Sequence, residues 1–320
     1  MSNGEIMQKI SYSSFHDEAE KYWDWSERTP IEPVPAEVAR EGAGSEIRTP
    51  IMHYGVILPV YMAIIRYLTA IKPQKGMRLI ELGSGSGRPL TYLKTLFPEL
   101  EVWGIDYSAE GVAYAAKAYG EHGVNFKHVT AQDTSLKSGY FDFVISSHVI
   151  EHVTAEQAVD FVAEAKRLLK DGGYMFVGTP ERRKCQELYA LNPTEDPQYR
   201  LVPPHEHEFR MPELKALGEQ TFGKRNTRID ALVNPTFYKI FKGSIDRFKP
   251  HTKLRTHTVN LAYRTIRDMT PRPLFDTITR VGVKVQMKQA GVGFHDILLD
   301  NGIAAESDAI PENLFLVCQK

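Results

Sequence analysis

A run of three glycines in five residues, Glu81-Leu82-Gly83-Ser84-Gly85-Ser86-Gly87, is the feature that most constrains how this chain can fold. It follows a short apolar stretch, Met77–Leu82, with the length of a buried parallel strand, and it precedes a helical stretch, Leu90–Phe97. Glycines at such a junction let the backbone turn tightly and let a ligand approach the main chain closely. The helix that opens behind the turn presents unpaired N–H groups and the positive end of its dipole, so the junction suits an anionic group. Asp106 closes the next apolar run, Glu101–Asp106, where its carboxylate can accept hydrogen bonds from two ribose hydroxyls.

Strand and helix patterns alternate beyond that point. Ala109–Glu121 reads as a helix, Asn125–Gln132 as a third strand ending next to Asp133, and Phe141–Ser147 as a fourth strand. Thr154 caps a helix running to about Leu169 and ended by Gly172-Gly173, and Gly173–Gly178 is a fifth strand. Met211–Thr221 reads as a helix, Arg225–Leu232 as a sixth strand and Asn313–Lys320 as the last. This alternation predicts an α/β fold: a doubly wound, seven-stranded, mostly parallel sheet covered on both faces.

Four segments follow. Residues 1–70 form an N-terminal helical segment or lid, with Tyr22-Trp23-Asp24-Trp25 as packing anchors and a proline-rich stretch at Pro30–Pro35. Tyr54–Ile65 is its most apolar part, too short to span a bilayer and read as a buried helix or helix pair. Residues 71–233 form the core, 234–311 a helical cap inserted before the last strand, and 312–320 that strand.

Composition narrows the function classes. A hydrophobic share of 42% and a charged share of 25% in 320 residues are those of a soluble globular chain. The net charge of −1 gives no global pull toward nucleic acid or membrane. Two distant cysteines, Cys185 and Cys318, make neither a disulfide scaffold nor a metal spacing. Met1–Ile10 has no basic leader and no apolar core, so a cytoplasmic chain without a signal peptide is expected.

ELGSGSG, GIDYS (Gly104–Ser108), AQD (Ala131–Asp133), FDFVISSHVIEHV (Phe141–Val153) and KDGGYMFVGTP (Lys170–Pro180) together resemble the motifs of class I S-adenosylmethionine-dependent methyltransferases, of the small-molecule branch and with a Rossmann-like sheet. The likeness covers about residues 77–232 and the last strand. It implies S-adenosylmethionine as cofactor. Glu81, Gly83, Ser84, Gly85 and Gly87 would lie along its methionine and ribose parts. Asp106 would hold the ribose hydroxyls, Tyr107 would pack on the adenine, Gln132 and Asp133 would face the adenine amine, and Ser147 would lie near the methionine end. The competing dinucleotide fingerprint, Gly-x-Gly-x-x-Gly, fits less well, because the third glycine comes one residue early and Arg88 takes the last glycine's place.

Methyl transfer to a hydroxyl needs an aligned nucleophile and a group to take its proton. His148, Glu151 and His152 follow the fourth strand and share one face if a helix begins there. A second cluster, His205-Glu206-His207-Glu208-Phe209, precedes the Met211 helix, and in an extended segment His205 and His207 point the same way. His148, His152 and His207 are the candidate catalytic residues, as general base. Alternatively His148, Glu151, His152 and His207 surround a divalent metal. Ubiquinone-type and small-RNA 2′-O-methyltransferases suggest this, since they carry Glu-x-x-Glu-His at the place of residues 148–152, and the RNA branch adds a later histidine in a stretch similar to HEHEF at 205–209. This chain has His148 where the first Glu would stand.

The expected substrate is a small molecule, a metabolite, natural product or glycan precursor, with oxygen as the favoured acceptor. Lys239, Lys242, Arg247, Lys249, Lys253 and Arg255 with Arg225 and Arg228 make either a solvated face or a patch for an anionic substrate. Phe237, Tyr238 and Phe241 interleave with them as core or pocket residues. Carbon or nitrogen methylation, RNA 2′-O-methylation, a dinucleotide-dependent oxidoreductase and a non-catalytic cofactor-binding regulator are the rival readings.

Overall fold

The structure is a computed structural model that describes residues 15–29, 53–182, 205–237, 284–285, 287–289, 291–304 and 311–320. Cys185, Tyr238, Phe241, the proline-rich stretch and the basic residues from Lys239 to Arg255 lie outside the described residues.

Eight strands form one sheet in the order β3-β2-β1-β4-β5-β8-β6-β7. They are β1 (Arg78–Leu82), β2 (Glu101–Asp106), β3 (Val124–His128), β4 (Phe141–Ser147), β5 (Leu169–Pro180), β6 (Thr227–Val233), β7 (Gly302–Ala304) and β8 (Asn313–Gln319). The first five pair in parallel, while β8 runs antiparallel to both β5 and β6. The sequence pattern predicts seven strands. The eighth, β7, is three residues long and pairs only with β6 at the sheet edge. So short an edge strand has no periodicity to read, and it falls within the region expected to be a helical cap.

The helices among the described residues are α1 (His16–Arg28), α2 (Leu58–Ile71), α3 (Arg88–Leu96), α4 (Ala109–Tyr119), α5 (Ala155–Leu168), α6 (Met211–Phe222) and α7 (Phe294–Leu299). Alternation along each strand sends side chains to two cores. Leu79, Val102, Phe143, Ile145, Phe176 and Val317 face α1, α2 and α3. Ile80, Ile105, Val144, Met175, Val177 and Leu316 face α5 and α6. Ten of the 14 residues of α2 are buried. Each large apolar side chain so buried stabilises the fold by about 1.5–3 kcal/mol before the loss of chain entropy. The helix presses so closely on β5 that a Cβ on Gly178 would lie 2.4 Å from Val60. No helix among the described residues is long and apolar enough to cross a membrane.

Helix α1 is a packing element. Tyr22 is fully buried, its ring meets Tyr92 edge-on at 5.0 Å, and Trp25 lies 4.9 Å from Tyr92. Arg66 of α2 makes two hydrogen bonds to the Glu18 carboxylate, at 2.9 and 2.7 Å. Arg88, at the first position of α3, donates to the Thr29 carbonyl and stacks on Trp25. Its side chain thereby ties the glycine turn to α1.

Several boundaries differ from the sequence reading. Strand β3 ends at His128, four residues before Gln132, so Asp133 stands in a loop rather than at a strand end. Helix α5 begins with the expected cap, Gln157 N–H donating to Thr154 Oγ1 at 3.3 Å and Thr154 N–H to Gln157 Oε1 at 3.0 Å. It ends at Leu168 without glycine. Gly172 (φ 82°) instead turns the chain inside β5, where the register with β4 jumps from Leu169 opposite Phe141 to Tyr174 opposite Phe143. Arg225 falls in a short 3-10 turn, Lys224–Asn226, ahead of β6, and Arg228 is ion-paired with Asp230 at 2.8 Å.

Candidate active site

The order of the sheet reverses between β1 and β4, and in open α/β sheets the crevice outside the strand ends at such a point is where ligands bind. The glycine turn leaves β1 there. Gly83, Gly85 and Gly87 have φ of 80°, 51° and 75°, the left-handed region that favours glycine. A Cβ on Gly83 would lie 2.3 Å from Val149, and one on Gly87 would lie 2.5 Å from the Phe126 ring. A Cβ on Gly85 would meet nothing within 4 Å, so that residue faces open space.

Asp106, at the end of β2, holds the turn from the other side. Its Oδ2 accepts from Gly85 N–H at 2.9 Å and its Oδ1 from Ser108 N–H at 3.0 Å. Tyr107 follows with 68% of its surface exposed, an unusual setting for so large a ring. Asp133 is exposed, and its Oδ1 accepts from Ser135 N–H at 3.2 Å, the local turn bond expected of an Asp in a loop. Gln132 lies in the same loop, half-buried.

Beneath the turn lie buried polar atoms. Glu81 is fully buried, and its Oε1 accepts from the Tyr61 hydroxyl of α2 at 2.5 Å. Its Oε2 and the Ser84 hydroxyl have no hydrogen-bond partner. Burial pushes the Glu81 carboxyl up to about 8, with the nearby Asp106 adding to the rise and the Tyr61 bond opposing it. Ser147, at the end of β4, lies beside the Tyr61 oxygen. Its own hydroxyl makes no well-aligned hydrogen bond, and that geometry outweighs the proximity. A cofactor with a charged amino-acid end, a ribose and an aromatic base fits these features: unpartnered polar atoms at one end, the paired oxygens of Asp106 in the middle, an exposed ring at the other.

The segment after β4 is not the single helical face expected. His148 has φ 57°, a rare conformation for a side-chain-bearing residue, and only Ile150–His152 form a 3-10 turn. The left-handed turn swings His148 back toward α2. Its Nδ1 lies 3.3 Å from Oε1 of Glu151 and its Nε2 lies 3.3 Å from the carbonyl oxygen of Val56, in a π-helical turn (His53–Ile57) ahead of α2. The Asn313 side chain donates to the same carbonyl at 2.7 Å.

Glu151 is the centre of the group. It is fully buried, and its Oε2 accepts from the Thr179 hydroxyl at 3.0 Å. Burial alone would raise its carboxyl, but the His148 contact and the charges of His148, His152 and His205 outweigh that and hold it down to about 2. Its backbone carbonyl accepts from the N–H groups of Glu206 and His207 at 2.8 and 3.1 Å, which clamps the HEHEF segment onto this turn. Arg182 tightens the clamp by donating to the Glu208 carbonyl.

The clamp brings His205, rather than His207, to the cluster. Ligand atoms of Glu151, His152 and His205 lie within 4.8 Å of one another. The His152 and His205 rings meet edge-on at 5.0 Å, and His205 Nδ1 lies 2.9 Å from Glu208 Oε1. His207 packs its ring on Phe209 at 4.6 Å, so the two histidines do not point the same way. The single parallel bridge between Glu181 and Phe209 shows why: the segment is not a strand of the sheet, so alternation does not govern it. Tyr61 and His205 are the site residues the sequence reading did not select. Tyr61 shares the apolar helix Leu58–Ile71 with two other hydroxyl side chains, Tyr67 and Thr69, so no local signal singles it out.

Residues 80–177 match the family described as a methyltransferase domain. That segment is a methyltransferase domain of the class I S-adenosylmethionine-dependent kind. It is 27% identical over 149 residues to a ubiquinone biosynthesis O-methyltransferase of Roseobacter denitrificans, covering 45% of this chain and 57% of that one. It is 34% identical over 126 residues to an arsenite methyltransferase of Aquipseudomonas alcaligenes, covering 35% and 36%. The chain therefore spans about half the length of the curated relatives it matches. Phosphoethanolamine N-methyltransferase 2 of Haemonchus contortus, solved with S-adenosyl-L-methionine, shares the fold with a TM-score of 0.52 at 16% identity, over 96% of this chain and 60% of that one.

Proposed function

We propose that this protein transfers a methyl group from S-adenosylmethionine to an oxygen of a small molecule. The observation that carries the reading is the meeting, at the strand ends where the sheet reverses, of the glycine turn with the cluster of Glu151, His152 and His205. When bound, the cofactor supplies a methyl carbon made electrophilic by its sulfonium sulfur. Gly85 leaves room for it, Asp106 accepts from the ribose hydroxyls, and Tyr107 offers a ring face to the adenine. Gln132 and Asp133 lie in the loop beyond, on the adenine side. Ser84, Ser147 and Glu81 line the methionine end.

The acceptor hydroxyl would lose its proton to an imidazole nitrogen as its oxygen bonds to the methyl carbon, the carbon–sulfur bond breaking so that S-adenosylhomocysteine leaves with the electron pair. His152, exposed at the mouth of the cluster, is placed for this, with Glu151 stabilising the imidazolium that forms. His205 and Glu208 support the ring from behind. His207 flanks the site at Phe209. The matched ubiquinone biosynthesis O-methyltransferases support oxygen as the acceptor.

A second reading follows from the donor set. Two imidazoles and a carboxylate within 4.8 Å suit a divalent transition metal, held by Glu151, His152 and His205, which would lower the pKa of a bound hydroxyl.

Isothermal titration with S-adenosylhomocysteine, beside a screen of phenolic and other hydroxylated acceptors with methyl-labelled cofactor, tests the first reading. Binding and labelled ether products are expected. Stabilisation by NAD(H) alone sinks it. Turnover that survives exhaustive chelation removes the metal reading and leaves the histidine base.

A further inference from the structure

The period of two along β5 places Thr179 with Val177 on the face that packs against α5 and α6, while Gly178 between them meets Val60 of α2. Thr179 is fully buried, and its backbone pairs with Leu314 of β8. A β-branched side chain on so fixed a backbone has few choices of χ1. Its hydroxyl donates to Glu151 Oε2 at 3.0 Å. Among the described residues this is the one aligned hydrogen bond that the carboxylate accepts. Oε1 is buried without one, although His148 Nδ1 lies 3.3 Å away. His148 is itself braced, since its Nε2 faces the Val56 carbonyl to which Asn313, the neighbour of Leu314, donates. The first two residues of β8 thus steady both sides of Glu151. Around the carboxylate stand His148 and His152 of its own turn, His205 of the HEHEF segment and Thr179 of β5. Three rings compete for one carboxylate, and the neutral hydroxyl on Oε2 decides how it is turned.

We propose that Thr179 is a positioning residue for methyl transfer: its hydroxyl fixes the Glu151 carboxylate beside the His152 imidazole, so that this ring is held ready to take the acceptor's proton. The inference rests on the histidine-base reading given above. Thr179 acts through Glu151 and touches neither cofactor nor acceptor. Without the hydroxyl, Oε2 is a buried charged oxygen with no donor, a costly state that the side chain relieves by turning. The nearest remaining donor is His148 Nδ1, on the side of α2. A carboxylate drawn to His148 leaves His152 with less stabilisation of its protonated form.

NMR titration of the whole, ligand-free chain with labelled histidines reads this directly, the His152 signal being assigned from its loss in His152→Gln. Thr179→Val keeps the branched shape and removes the hydroxyl, and the His152 midpoint is expected to fall. Thr179→Ala should move it the same way, and Thr179→Ser, which keeps the donor, should restore it. Melting curves run beside the titration show that each variant is folded. A merely structural role would lower Tm without moving the His152 midpoint. With an acceptor found in the screen above, kcat in Thr179→Val should fall by about tenfold at unchanged Kd for S-adenosylhomocysteine, and Thr179→Ser should keep most of the rate. A midpoint that stays or rises in both Thr179→Val and Thr179→Ala overturns the inference and leaves the histidine-base reading intact. A lowered midpoint with full kcat overturns the histidine-base reading itself.

Discussion

Both ring nitrogens of His148 face acceptors, Nδ1 the Glu151 carboxylate and Nε2 the Val56 carbonyl, each at 3.3 Å. Both nitrogens are thus turned toward protein oxygens rather than toward the cluster's open side. His148 is thereby suited to orient Glu151 and ill suited to take a substrate proton. We expect His148→Gln, which keeps a donor, to slow methyl transfer by less than about tenfold and to retain the acid-side limb of kcat against pH. His152→Ala should cost about 10²–10⁴-fold and abolish that limb. The pH–rate profiles of the two variants decide between them, and a lost limb in His148→Gln with an intact one in His152→Ala would reverse the assignment.

His205 and His207 sit two residues apart, yet the His205 ring groups with the Glu151 and His152 side chains while the His207 ring packs on Phe209. Single-turnover assays should show His205→Ala slowed at least about tenfold, since a ring that locks a neighbour in place contributes through orientation. His207→Ala should stay within about twofold while S-adenosylhomocysteine affinity is unchanged in both. Equal losses in the two variants would mean that HEHEF acts as a unit rather than through one ring.

The strand–turn–helix core was legible because its signals are local: apolar runs at Leu79–Leu82 and Phe141–Ser147, three glycines forced to positive φ, and a carboxylate at Asp106. Both strand spans Glu101–Asp106 and Phe141–Ser147 agree to the residue. What sequence spacing could not show are contacts made at a distance. Tyr61 and Glu81 lie 20 residues apart, and His148 meets the Val56 carbonyl across 92. The expected single helical face at 148–152 failed for a physical reason. His148 takes a left-handed turn, so its ring points toward α2 rather than along a helix.

Glu81 gives the apo protein a pH dependence whose sign is fixed. Its folded pKa of about 8 lies above the ordinary carboxylate value, so the folded state binds more protons than the unfolded one between those limits. Stability from this group is full below about pH 4.5, falls as pH rises toward 8, and is level above. Glu81→Gln removes that loss. Differential scanning of the ligand-free protein at pH 5 and pH 8 should show a smaller drop in Tm for Glu81→Gln, by on the order of 5 °C, because 1 kcal/mol moves Tm by a few degrees in a chain of this size. Parallel curves for the two proteins would mean that Glu81 does not hold its proton.

Gly85 and Gly87 separate binding from folding, since both need positive φ but only one is crowded. Gly87→Ala places a methyl 2.5 Å from Phe126 and 3.2 Å from Ala115, inside the packing of α3 against β3 and α4. Strain of about 1–2 kcal/mol from the left-handed backbone adds to about 1–3 kcal/mol from overpacking, so unfolding should come several degrees lower. Gly85→Ala bears only the backbone strain, because its Cβ points into open space. In the proposed reading the cofactor passes through that space, so Gly85→Ala should keep most of its Tm and weaken S-adenosylhomocysteine binding at least about tenfold, a single misplaced methyl being worth about 1–3 kcal/mol against a fitted ligand. Calorimetry on both variants reads the two effects independently. Wild-type affinity in Gly85→Ala would move the cofactor away from this turn.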